Sequence, residues 1–306
     1  MSKNKTAQKK WGDTEKSQWL SQQIVKRSYV DDVVKTIIRL VKGYEVHQYG
    51  SLPYADLGYS IENYPLYIIK SKQWDDSKPN ILITGGVHGY ETSGVHGALR
   101  FLEFGAPDYF DQFNFAVAPC ISPWGYETIN RWNPETVDPN RSFLQPSPTR
   151  EASTLMAYID SLDITFLTHL DLHETTDTDN SVFRPALSAR DGIQQDVWNI
   201  PDGFYLVGDS ENPTPEFQQA IIRSVEKVTH IAPADDKGEI VGDKLEQHGV
   251  INYMKRTLGL CAGFSGVKYS STTEVYPDSP SVTDEECILA QVAAITGALD
   301  YLLEHD

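Results

Sequence analysis

Two apolar runs that each end at a histidine constrain this chain more than any other feature. The first, Ile81-Leu82-Ile83-Thr84-Gly85-Gly86-Val87, leads into His88-Gly89-Tyr90-Glu91, and the second, Ile164 to Leu172, leads into His173. Short apolar runs bounded by glycine and polar residues read as buried strands. Gly85-Gly86 permits a sharp turn after the first run. The stretch Glu91 to Glu103 then places Val95, Ala98, Leu99 and Leu102 at helical spacing. Glu91 is expected in the first turn of that helix, where the dipole favours a carboxylate. Further strands are expected at Tyr44 to Gln48, Tyr64 to Lys70, Phe113 to Ala118, Gly203 to Val207 and Thr272 to Val275. Helices are expected at Asp13 to Val41, Thr149 to Ser161, Thr214 to Val228 and Thr283 to Leu303, the last opened by a Thr283/Glu286 capping box. Strands alternating with helices imply an α/β layered sheet.

The 306 residues suffice for one large core. The reading is a flexible tail over residues 1–12 and a single catalytic domain over 13–306, with the helical segment 13–43 packed on it. A net charge of -17 excludes a phosphate-binding footprint, so nucleic acid is not an expected partner. No uninterrupted apolar run approaches the ~20 residues of a membrane span, and the lysine-rich start lacks a signal-peptide core. A cytoplasmic protein without a membrane partner is the expectation. Cys120, Cys261 and Cys287 are odd in number and sit in apolar contexts, so buried thiols are expected rather than disulfides.

His88, Glu91 and His173 stand at strand ends, where α/β sheets collect their ligands. Two histidines and a carboxylate, with a fourth position left for water, are the ligand set of a catalytic zinc ion. Between the two histidine segments lie Ser122-Pro123-Trp124-Gly125, Asn130-Arg131-Trp132-Asn133 and Asp138-Pro139-Asn140-Arg141-Ser142-Phe143, and after them comes Ser271-Thr272-Thr273-Glu274-Val275. This order resembles the zinc metallocarboxypeptidase superfamily of the carboxypeptidase A type. The resemblance implies one Zn2+ held by His88, Glu91 and His173. It also implies that Arg131 polarises the scissile carbonyl, that Asn140 and Arg141 grip a substrate carboxylate, and that Glu274 is the catalytic glutamate. Tyr253, which lies 21 residues before Glu274, is a candidate for the family's mobile tyrosine. The fold implied is a mixed, mostly parallel eight-stranded sheet with helices on both faces. Asp171-Leu172-His173-Glu174-Thr175 and Asp-x-Asn-Arg-x-Phe resemble the aspartoacylase and succinylglutamate desuccinylase branch more than the digestive enzymes.

The chemistry follows from the residue types. A carboxylate that does not bind metal can take a proton from water and return it to the leaving amine, which suits Glu274. Arginine matches a carboxylate bidentately, which suits Arg141. Asp171 shares a strand face with His173 and could orient it, whereas Glu174 should face away. His96 and His169 read as structural histidines. Three functions remain open: a metallocarboxypeptidase removing a C-terminal residue, an N-acyl amino acid deacylase, and a non-catalytic metal- or carboxylate-binding module. A general base at Glu274 argues against the third. The residues that select the substrate side chain are expected between about Gly203 and Gly263.

Overall fold

The computed structural model describes residues 10–54 and 63–306, so most of the expected tail lies outside the described residues. In chain order the elements are α1 (Asp13–Ser21), α2 (Lys35–Leu40), β1 (Tyr44–Leu52), β2 (Tyr64–Ser71), β3 (Asn80–Gly85), α3 (Thr92–Arg100), β4 (Asn114–Ala118), α4 (Pro123–Thr128), α5 (Arg150–Ser161) and β5 (Phe166–Glu174). They continue with α6 (Arg184–Asp191), β6 (Tyr205–Asp209), α7 (Pro215–Val225), β7 (Glu239–Ile240), β8 (Asp243–Lys244), β9 (Val250–Tyr253), α8 (Cys261–Phe264), β10 (Tyr269–Val275) and α9 (Asp284–His305). Eight strands form one sheet in the order β1-β2-β4-β3-β5-β10-β6-β9. The central run β4-β3-β5-β10 is parallel, as is β6-β9, while β1-β2, β2-β4 and β10-β6 are antiparallel. This is the mixed, mostly parallel eight-stranded sheet the resemblance implied.

Alternation along the strands builds a core on each face. Ile81 and Ile83 of β3, Phe115 and Val117 of β4, and Leu170 and Leu172 of β5 join one cluster, which α2, α3, α7 and α9 cover. Leu82, Ala116, Ala118 and Ile68 point the other way, into a cluster with Ala152, Leu155, Met156 and Ile159 of α5. Burying each such aliphatic side chain contributes about 1.5–3 kcal/mol. By length and composition α9 could cross a membrane. Here it packs on α3 and α7 and supplies Ala290, Ala294, Ala298, Leu299 and Leu302 to the core.

Four sequence expectations are corrected. The single helix over Asp13 to Val41 is broken. After α1 the chain leaves the helix, because Lys26 and Arg27 donate their backbone N–H groups to the carbonyl of Glu127 and Tyr29 donates to its carboxylate. Ile24 and Val25, inside the expected helix, are exposed. The packed chain also begins earlier than Asp13: Trp11 stands edge-on to Trp132 with ring centroids 6.2 Å apart, and its N–H donates to the carbonyl of Arg190. Trp19 packs on Trp124 and Trp132 as well. Glu91 is the N-cap residue of α3 rather than part of its first turn. Finally, β5 runs through His173 to Glu174 instead of stopping before the histidine.

Candidate metal centre

The three parallel neighbours β3, β5 and β10 carry the site residues at or just beyond their carboxyl ends. β3 ends at Gly85, and Gly86 at φ +57° turns the chain so that His88 returns toward β5. Gly94 lets α3 lie directly on β5: a Cβ there would overlap the backbone carbonyl of Leu172. That approach brings Glu91, at the start of α3, against His173. One ligand atom from each of His88, Glu91 and His173 lies within 4.8 Å of the others, and all three residues are buried. From α9, Gln291 donates to the carbonyl of His173 (2.9 Å) and to Ser93 Oγ (3.2 Å), tying β5 to α3.

Each ring presents one nitrogen to Glu91 and the other to an aspartate. Nδ1 of His88 lies 2.7 Å from Glu91 Oε1, and Nδ1 of His173 lies 2.6 Å from Oε2. Nε2 of His88 lies 2.9 Å from Asp138 Oδ1, and Nε2 of His173 lies 2.9 Å from Asp171 Oδ2. A carboxylate on Nε2 fixes the tautomer that leaves the Nδ1 lone pair free for a metal ion. Burial alone would lower the pKa of His173, but Asp171 and Glu91 raise it well above the ordinary range. Burial alone would raise the pKa of Glu91, but His88 and His173 hold it far below. Both Nδ1 atoms and the Glu91 carboxylate thus face one point. Two imidazoles and one carboxylate converging on a point that attracts positive charge fit a zinc ion.

His88, Glu91 and Asp138 line a cavity of about 330 Å³. Glu274 reaches it from β10, beside His173 in the strand register. Its Oε2 accepts from Thr175 Oγ1 (2.8 Å), which also pairs with the hydroxyl of Tyr205 (2.7 Å). Burial, opposed by His173 and reinforced by Glu91, pushes its pKa up to about 7. Arg131 donates from Nε to Asp138 Oδ2 (3.0 Å) and from Nη1 to Asp179 Oδ1 (3.1 Å). Asn140 sets its Nδ2 3.3 Å from His173 Nε2, while its Oδ1 accepts from the N–H of Cys261 (2.8 Å). Arg141 donates from Nη1 to the carbonyl of Asn140 (2.7 Å). Tyr253 lines the same cavity, its pKa raised by burial and by Asp243.

The other polar residues singled out in the sequence have side-chain partners outside this group, although Glu174 also lines the cavity and donates its backbone N–H to Glu91 Oε2 (3.1 Å). Glu174 accepts from the backbone N–H of Ser93 (2.6 Å) at the start of α3, with its pKa raised to about 7, chiefly by burial. His96 meets the hydroxyl of Tyr126 (3.2 Å). His169 bridges Thr84 Oγ1 (2.9 Å) and Ser265 Oγ (2.8 Å). The three cysteines are free and buried.

Several cavity residues carry no signal in the sequence. Asp138 stands inside a motif that assigns it no role. Asp179, Phe183, Arg184, Leu187, Arg190, Trp198 and Ile200 come from a segment with no recognisable element. Cavity-lining residues therefore do not come only from Gly203 to Gly263, although Val207, Val241, Tyr253 and Leu260 do. Pro185 and the polar run around α6 hide its helical period.

The zinc carboxypeptidase family model matches residues 47–157, about a third of the chain, a span that includes His88, Glu91, Arg131, Asn140 and Arg141. The fold is similar to that of a Shewanella amazonensis protein inferred to be a metallopeptidase, with a TM-score of 0.66 and 21% identity over 92% of this chain and 99% of that one. It is also similar to a metallo-carboxypeptidase from Burkholderia cenocepacia, with a TM-score of 0.60 and 15% identity over 89% of this chain and 69% of that one. Bovine thrombin-activatable fibrinolysis inhibitor, solved with tick carboxypeptidase inhibitor, gives a TM-score of 0.58 and 13% identity over 94% of this chain and 100% of that one. A comparison with curated proteins finds no match. At the level of the superfamily, the resemblance read from the sequence holds in a family model and in the fold.

Proposed function

We propose that this protein is a zinc-dependent hydrolase of an amide bond next to a free carboxylate, a metallocarboxypeptidase in its leading form. One observation carries the reading. A three-ligand cluster reaches, through His88 and Glu91, the same cavity as a buried carboxylate outside that cluster and an arginine without a carboxylate partner. Zinc held by His88, Glu91 and His173 would supply Lewis-acid polarisation of the scissile carbonyl and an acidified water at neutral pH.

The chain's own residues do the rest. Asp138 and Asp171 hold the two rings in the orientation that aims Nδ1 inward. Glu274, poised by burial near neutrality, takes a proton from the attacking water and delivers it to the leaving amine nitrogen. Arg131 is fixed by two aspartates through Nε and Nη1, which leaves Nη2 to meet negative charge growing on the carbonyl oxygen. Arg141 takes the substrate carboxylate. Tyr253 closes part of the wall around it.

A second reading, an N-acyl amino acid deacylase, draws support from the cavity of about 330 Å³, which is at the small end for ligand sites. The test is a panel of short peptides and N-acyl amino acids, each as free acid and as C-terminal amide, with the enzyme as purified, chelated and zinc-restored. Hydrolysis that is lost on chelation, returns with zinc and requires the free acid is the expected result. Equal cleavage of acids and amides would overturn the proposal.

A further inference from the structure

We infer that the ligand of this cavity carries two anionic groups, one for Arg141 and a second for Arg184. The assignment of that ligand as a substrate rests on the hydrolase reading above; its binding does not.

The chain is acidic by a net -17, yet four of its ten arginines line this one cavity: Arg131, Arg141, Arg184 and Arg190. Their partners divide them into two pairs. Arg131 is neutralised by Asp138 and Asp179. Arg190 is held by both carboxylate oxygens of Asp191, at 2.8 and 3.0 Å, and donates to the carbonyl of Thr136. Arg141 and Arg184 have no such partner: among the described residues, neither has a carboxylate within ion-pairing distance. Arg184 donates from Nη1 to the backbone carbonyl of Asp196 (2.9 Å), and its Nε is buried without a hydrogen-bond partner.

A guanidinium does not escape this by losing its proton. Burial lowers the pKa of Arg184, Arg131 and Arg141 add to that by repulsion, and Asp179 opposes it, so the charge of Arg184 is not matched by an ion pair of its own. The nearby anion is already committed. Asp179 accepts from Arg131, from the hydroxyl of Tyr90 and from the N–H of Thr176. Meanwhile the Arg184 guanidinium is stacked over Trp198, 3.1 Å from the ring centroid. Stacking fixes the plane of the fork, and a fork of fixed plane suits a planar carboxylate. One carboxylate satisfies Arg141, so Arg184 calls for another. The substrate class that follows is a dicarboxylate: an N-acyl amino acid whose acyl group ends in a carboxylate, or a short acidic peptide.

The test measures binding apart from turnover. Full-length protein, in chelator and again in zinc, is titrated calorimetrically with α,ω-dicarboxylates from succinate to sebacate and with the half-amide of each. At the best length the diacid should bind about tenfold or more tighter than its half-amide, the worth of a charge-assisted pair. Arg184→Gln should bring that ratio to about one, and Arg184→Lys, which keeps the charge but loses the fork, should restore part of it. Equal binding of diacid and half-amide by the wild type, or a ratio that survives Arg184→Gln, overturns the inference. An activity arm compares N-succinyl with N-acetyl amino acids, and acidic with neutral dipeptides, to place the second anion. Tight diacid binding with no hydrolysis of anything would sink only the hydrolase reading. Hydrolysis with a ratio of one would sink only this inference.

Discussion

Asp138 joins the metal centre to the substrate side of the cavity, so Asp138→Asn should disturb both, and by different amounts. Its Oδ1 faces Nε2 of His88 at 2.9 Å and accepts from the N–H of Asn140 at 2.9 Å, while Oδ2 accepts from Nε of Arg131 at 3.0 Å. Burial would raise the pKa of this carboxyl, but Arg131, and then His88, hold it well below the usual range, so it is ionised. Asparagine is the same size with one acceptor fewer. It keeps two bonds by leaving its oxygen toward His88 and Asn140, and its amide nitrogen then meets Nε of Arg131 donor to donor. A hydrogen bond to a charged group contributes about 1.5–3 kcal/mol. Losing the Arg131 bond should therefore cost about 2 kcal/mol in transition-state binding, which is more than tenfold in kcat/KM. The His88 bond survives but is no longer made to an anion, so zinc affinity should fall about 10–100-fold, as for other residues that orient metal ligands. Competition against a chromophoric chelator measures the second effect, and kinetics at saturating zinc isolate the first. Full kcat/KM at saturating zinc would refute the claim that Asp138 positions Arg131. An unchanged zinc affinity would refute its claim on His88.

Glu274→Gln should keep zinc bound and lower turnover by roughly 10²–10⁴-fold, checked by metal analysis beside steady-state rates; full activity would return the proton-transfer role to another carboxylate. Lys255 is fully buried with Nζ 3.0 Å from Ser270 Oγ, and burial brings its pKa down from 10.5 to about 7. Between those values the unfolded chain binds more protons, so this group makes stability rise with pH, by about 2 kcal/mol from pH ~7 to ~9. Lys255→Met should remove that slope in urea titrations at the two pH values, and parallel pH dependence in both proteins would count against it. Gly94→Ala would push α3 off the Leu172 carbonyl, with an overpacking cost of about 1–3 kcal/mol and weaker zinc binding; a variant as stable and as tight as wild type would show that the spacing is not set there.

The sheet is legible in the sequence because its central strands are buried on both faces, so β3 and β5 read as apolar runs whatever surrounds them. The convergence of His88, Glu91 and His173 is legible for a related reason: a histidine or glutamate at the end of such a run has to be explained. Elements that depend on tertiary partners are not legible. Residues 22–28 carry helical spacing, yet Glu127, distant in sequence, takes the backbone N–H groups of Lys26, Arg27 and Tyr29 and holds the segment out of a helix. β9 has four residues, too few to show a period. Arg184 gives no signal at all, since an arginine in a polar segment reads as a surface residue until Trp198 and the cavity are placed around it.

The packing of Trp11 and Trp19 against Trp132 has a consequence for the order in which this protein assembles. α1 has no buried residue of its own, and nine residues make too short a helix to persist alone in water. It can dock only after Trp132, more than a hundred residues later in the chain, has been placed by the sheet. Closing so long a loop is slow compared with forming local contacts. Trp132 is the neighbour of Arg131, so the loop carrying that arginine is braced last. During refolding, the candidate ligands His88, Glu91 and His173 should therefore become able to bind zinc before the protein regains turnover. A molecule caught in between would hold its metal and do little with it.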